Sequence, residues 1–130
     1  MKYRDCGLTV LRIVVGIVFL MHGYQKLFKM GFHGVEGFFG HLGIPLPLVA
    51  AVIVTLVEFV GGILLIAGLL VRVAAPLLAC DMLVAILKVH WQHGFFSSTG
   101  GVEFPLTLLA GAICLTLAGG GCFSLRFKGL

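Results

Sequence analysis

The chain has 130 residues, 60% of them hydrophobic and 11% charged, with a mean hydropathy of +1.16. Soluble domains carry about 25% charged residues, so a water-soluble fold does not fit, and a single domain over 1–130 is expected at this length. The net charge of +4 is scattered, with no basic run and no basic helix face, which argues against nucleic acid as a partner; in a membrane protein such a surplus reports loop topology.

A membrane span needs about 20 mostly apolar residues, and four segments reach or approach that: 8–25, 47–70, 72–90 and 103–119. The start, "MKYRDCGLTVLRIVVGIVFLMHGYQKLF", has the basic opening of a signal peptide. It lacks an A-x-A-like cleavage site, and its apolar run has the length of a span, so it reads as a retained first helix. In the following "KMGFHGVEGFFGHLGIPLP", Phe32, Val35, Phe38, Phe39 and Leu42 recur at helical spacing between glycines. This suits a short helix at the membrane interface; a partly ordered loop with aromatic anchors accounts for it nearly as well. Pro45 and Pro47 disfavour its continuation into the second span. That span carries Glu58 as its only charge. Arg72 marks the turn into the third, and "HWQHGFFSSTGG", with Trp91 at the interface, joins the third to the fourth. The expected fold is an all-α membrane protein, a four-transmembrane-helix up-and-down bundle with a short interfacial helix between spans one and two.

Lys and Arg placement sets orientation. With four spans both termini share one side, which holds Lys2, Arg4, Arg72, Arg126 and Lys128, against Lys26, Lys29 and Lys88 on the other. Both termini are therefore expected in the cytoplasm. The cysteines Cys6, Cys80, Cys114 and Cys122 form no C-x-x-C pair, so a dithiol redox centre is not indicated; within apolar segments a free Cys acts as a small hydrophobe.

Ionisable residues within spans are costly, face the bundle interior and are functional-site hypotheses by default. At about 1.5 Å per residue, Glu58 and Asp81 both fall near the bilayer centre, and Arg12 is long enough to reach toward them from one turn inside the first span. Arg12, Glu58 and Asp81 are expected to form a central cluster, with one proton shared between the two acids; a bridge that merely ties three helices is the competing reading. A second cluster gathers at the outer end: His22, Gln25, Lys26, Lys88, His90, His93 and Glu103. On the first helix His22, Gln25 and Lys26 share a face. Although His22, His90 and Glu103 could converge, nothing in their spacing specifies a metal, and no metal site is assigned. Gly16, Gly23, Gly61 and Gly62 let helices approach closely, and Gly62, four residues past Glu58, places the acid at a tight helix contact.

"LRIVVGIVFLMHGYQKLF", "VEFVGGILLIAGLLVRVAA" and "HWQHGFFSSTGGVEFPLTLLAGAICLTLAGGGCFSL" resemble, in order and over nearly the whole chain, the DoxX family of small four-helix membrane proteins. The pattern runs L-R, H-G-x-x-K-L, E-x-x-G-G, G-L-x-x-R, H-x-x-x-G-F-F with G-x-E, and a G-x-G-x-x-S-L finish. The family often closes with S-L-D, whereas here Arg126 follows Leu125. The resemblance implies a bacterial inner-membrane protein with redox associations, one branch being similar to a subunit of a thiosulfate:quinone oxidoreductase and others being linked to oxidative stress. By position its polar motif residues carry over to Arg12, His22, Lys26, Glu58, His90 and Glu103.

Three functions follow from these residues. The first is a quinone-linked oxidoreductase component, in which Glu58, Asp81 and His22 act on protons while Arg12, Lys26, His90 and Glu103 hold the substrate. A quinone needs an apolar slot, donors for its carbonyls and a proton relay. No Fe–S, c-haem or dinucleotide motif is visible, so electrons would come from the substrate or from a redox partner protein. The second is a non-catalytic anchor or assembly partner for a redox enzyme. The third is a small-molecule carrier, for which four spans are few unless chains form a homo-oligomer.

Overall fold

The structure, a computed structural model, describes residues 3–121. Lys2, Cys122, Arg126, Lys128 and the S-L finish, on which part of the orientation and motif readings rest, lie outside the described residues. What is described is helical: α1 (Tyr3–Tyr24), α2 (Gly31–His41), α3 (Pro47–Ala67), α4 (Val71–Ala85) and α5 (Glu103–Ala118). Two π-helical segments extend α1 and α4, at Gln25–Met30 and Ile86–His90. Short 3-10 turns at Trp91–His93 and Ser97–Thr99 lead into α5.

Three helical stretches are long and apolar enough to cross a membrane: Tyr3–His41, Pro47–Ala67 and Val71–His93. The fourth, Glu103–Ala118, is apolar but has only 16 residues. The outward faces match this chemistry, with Val10, Ile17, Ile53, Leu77, Leu87 and Leu117 all exposed. So broad an apolar surface is stable only where something other than water covers it, and the chain is a membrane protein.

The element boundaries shift from the sequence expectation for identifiable reasons. The first helix is already formed at Tyr3, five residues before the expected span. It runs on past residue 25 in π form. The second ends at Ala67 and not at 70, because Gly68 takes a left-handed conformation (φ 73°) and closes the helix. Pro47 opens that helix at its first turn, the one helical position where a missing N–H costs nothing.

The segment between the first two spans is a helix. Gly31 (φ 73°) separates the π segment from α2, and α2 packs on α3. Val35 and Phe39, one turn apart, are buried there against Ala51, while Phe38 stays exposed.

Two close helix pairs build the core. α1 packs most extensively on α3, and α4 on α5. The buried face of α3 reads Ala51, Thr55, Glu58, Gly62 and Leu65, alternating steps of four and three as an α-helix requires. Gly62 lies against the backbone of Leu20 and Gly16, so that a Cβ added there would fall 2.5 Å from the Leu20 nitrogen. Gly23 likewise touches the backbone of Phe59. Small residues replace the hydrophobic drive that lipid removes between helices. Phe19, Leu65, Leu78, Ala112 and Leu115 fill the centre.

Candidate functional site

The α1–α3 register decides which polar groups meet. The helices run antiparallel, with Gly16 opposite Gly62 and Ile66, and Gly23 opposite Phe59. That alignment levels Arg12 with the last turn of α3. Its Nη1 donates to the Leu65 and Ile66 carbonyls at 3.3 and 3.4 Å, and the residue is 1% exposed. The expected Arg12–Glu58–Asp81 cluster is therefore not formed, because two helical turns separate Arg12's contacts from Glu58.

Lys26 takes that place. Its Nζ lies 2.7 Å from Glu58 Oε1, with the Glu58 side chain 3% exposed and that of Lys26 20%. Sequence spacing assigned Lys26 to the outer cluster. Two features bring it inward: the backbone contact at Gly23, and the wider π turn that begins at Gln25 and shifts later residues out of α phase. Gln25, placed by spacing on the same face, is exposed instead. Asp81 of α4 stands beside both members of the pair, its carboxyl against that of Glu58 and close enough to Lys26 to interact, and among the described residues its Oδ2 is buried without a hydrogen-bond partner.

These groups line one cavity of about 360 Å³. His22, Lys26, Glu58, Asp81, Lys88 and His90 supply the polar part of its wall; Phe19, Phe38, Phe39, Val54, Met82, Phe104 and Leu108 are among the residues that supply the rest. An apolar chamber with a few convergent polar groups has the character of a small-molecule site. It is large enough for one, since a void of about 150 Å³ already takes up benzene. The two π segments both flank it, contributing Lys26 from one and Lys88 and His90 from the other. Such bulges recur at functional sites.

The two cavity histidines are held in the same manner. His22 Nδ1 lies 2.8 Å from the Val18 carbonyl, and His90 Nδ1 lies 2.7 Å from the Gly100 carbonyl. A carbonyl only accepts, so each Nδ1 carries the proton and, in the neutral ring, Nε2 is the acceptor. His22 also stacks near Phe104, with ring centroids 5.8 Å apart.

Two other residues singled out from sequence stand elsewhere. Glu103 accepts from the Ser97 backbone N–H at 2.8 Å and ties the loop before α5; it does not line the cavity. Arg12 does not line it either. Among the described residues no group of three His, Cys, Asp or Glu is placed to hold a metal ion. Sequence spacing does not reveal the aromatic wall: Phe39 of α2 and Phe104 of α5 come from elements whose packing onto α3 and α4 no local pattern states.

The DoxX family model matches residues 7–91. The chain belongs to the DoxX family. The match contains Arg12 and every polar residue of the cavity wall, His22, Lys26, Glu58, Asp81, Lys88 and His90. Among DoxX relatives, a Bacillus subtilis protein named "Putative oxidoreductase CatD" is 35% identical over 98% of this chain and 92% of its own length. An uncharacterized Haemophilus influenzae protein is 36% identical over 98% and 93%. An Escherichia coli protein named "Inner membrane protein YphA" is 29% identical over 96% of each chain. No solved structure matches this DoxX chain.

Proposed function

We propose that this DoxX protein is an inner-membrane component of an oxidoreductase and that it binds a quinone-type molecule in the cavity. One observation carries the reading: an apolar chamber of about 360 Å³ whose wall contains a lysine, two acids and two histidines. Phe19, Phe39, Met82, Phe104 and Leu108 would hold a ring and Lys26 would donate to one of its oxygens. Glu58, Asp81 and His22 would exchange protons with it. Reduction of a quinone takes up two electrons and two protons. The acids and His22 would handle the protons, and an electron-donating partner protein or second substrate would supply the electrons. The names of the Bacillus and Escherichia relatives support the oxidoreductase class and the inner membrane respectively.

In this reading α5 is a fourth span and both termini face the cytoplasm. Sixteen residues rise about 24 Å, short of a hydrocarbon core of about 30 Å. Local thinning of the bilayer accommodates such a difference at modest cost.

The test is photolabelling of the full chain in lipid nanodiscs with an azidoquinone. Label is expected on the peptides holding Phe39, Met82 and Phe104, and excess duroquinone is expected to displace it. Label confined to outward positions such as Ile53 or Leu117, or label that duroquinone does not displace, overturns the reading. The Lys26–Glu58 pair also favours a second reading, a non-catalytic anchor for a redox enzyme, because it ties the end of the first helix to α3. A well-folded Glu58→Gln protein that leaves the activity of its partner unchanged would decide for the anchor.

A further inference from the structure

The cavity wall mixes one kind of hydrogen-bonding group with its complement. Lys26 gives one N–H to Glu58 at 2.7 Å and, partly exposed at the wall, has further N–H groups to give. Against it stand acceptors. Asp81 has its carboxyl against that of Glu58, and its Oδ2 is buried with no hydrogen-bond partner among the described residues. His22 and His90 both commit Nδ1 to a backbone carbonyl, which in the neutral ring leaves Nε2 to accept. The oxygen of a quinone carbonyl only accepts, so it answers Lys26 and leaves the acceptors unanswered. A hydroxyl answers both, accepting through its oxygen and donating through its hydrogen.

Resting on the reading that a quinone-type molecule occupies this cavity, we propose that the site is built to hold the reduced form. The ligand is an apolar aromatic diol whose O–H donates to Asp81 Oδ2 or His22 Nε2 while its oxygen accepts from Lys26. The walls set the rest of its chemistry: Phe19, Phe39, Met82 and Phe104 take an uncharged, alkyl-substituted ring. Tighter binding of the diol than of the quinone makes the bound couple easier to reduce. Each tenfold preference raises its potential by about 30 mV for a two-electron couple. The site is then one that draws electrons onto quinone.

The test compares three probes with the same ring and the same methyl groups, under anaerobic conditions, with the full chain in nanodiscs: durohydroquinone, its dimethyl ether and duroquinone. The diol is expected to bind about tenfold or more tightly than either of the others, as one hydrogen bond to a charged or buried partner would give. In Asp81→Leu and His22→Phe proteins the preference of diol over quinone is expected to fall toward unity. If ether or quinone binds as well as the diol, the donor requirement is wrong and the cavity reading stands. If the preference survives both substitutions, its assignment to Asp81 and His22 is wrong. If none of the three probes binds, the quinone-type reading itself fails.

Discussion

The two ends of the α1–α3 contact each hold a cation, and they treat it differently. Near the end of α3, Arg12 is almost wholly enclosed and donates to the Leu65 and Ile66 carbonyls. These belong to the last turn of a helix, where carbonyls lack helical partners and the dipole favours a positive charge. Gly16 and Gly62 bring the backbones together beside it, leaving no room for a ligand. At the other end Lys26 meets a carboxylate in mid-helix, Glu58, with a second acid next to it and an open chamber alongside. The first cation is held by backbone carbonyls and works as a joint. The second is satisfied by a side chain that could also serve something else, and it borders the space where that something would sit. Burial of a charge therefore does not by itself mark a site in this protein. A charge partnered by another titratable group, next to a void, does.

Breaking the second pair should have the largest effect. Lys26→Met leaves the Glu58 carboxylate buried without a counter-ion and should cost about 3–5 kcal/mol of unfolding free energy, the usual loss when one partner of a buried pair is removed. The double substitution Lys26→Met with Glu58→Gln should recover most of it, and equilibrium denaturation in detergent across all four proteins measures the coupling. Additive losses would show that the two side chains do not act as a pair.

Next comes the joint itself. Gly62→Ala puts a Cβ against backbone atoms of Leu20 and Gly16, which cannot rotate away. About 3 kcal/mol, the upper end for overpacking, is expected, with the same denaturation measurement as the check. Arg12→Gln should cost about 2 kcal/mol through lost charge-assisted bonds, and it sharpens the comparison because duroquinone binding should be unchanged. Weaker binding in that protein would join the two ends functionally. The smallest effect belongs to Glu103→Gln. It perturbs one loop contact, to Ser97, should cost about 1 kcal/mol, and should leave both binding and the Lys26–Glu58 coupling intact.

Much of this arrangement is legible in the chain. Depth along a helix of about 1.5 Å per residue brings Glu58 and Asp81 to one level, and small-residue spacing marks the face of α3 that packs closely. Depth counted from each segment's own ends places Arg12 too near Glu58. The same glycines hold the remedy: pairing Gly16 and Gly23 with the Gly62 region fixes an antiparallel register, and that register already levels Lys26 with Glu58. The π turn after Tyr24 has no comparable local signal, nor does the return of α2 onto α3, which brings Phe39 to the chamber.

Composition and hydropathy alone determined that this chain lives in a membrane as a bundle of helices, since 60% hydrophobic residues in long runs admit no other solvent. The glycine, acid and histidine pattern alone determined its family. Which cation faces Glu58, and that a chamber opens beside the pair, was decided only by tertiary structure. Both depend on the rotation and register of one helix against another, and these are set by backbone contacts between residues some forty positions apart, beyond the reach of any local period.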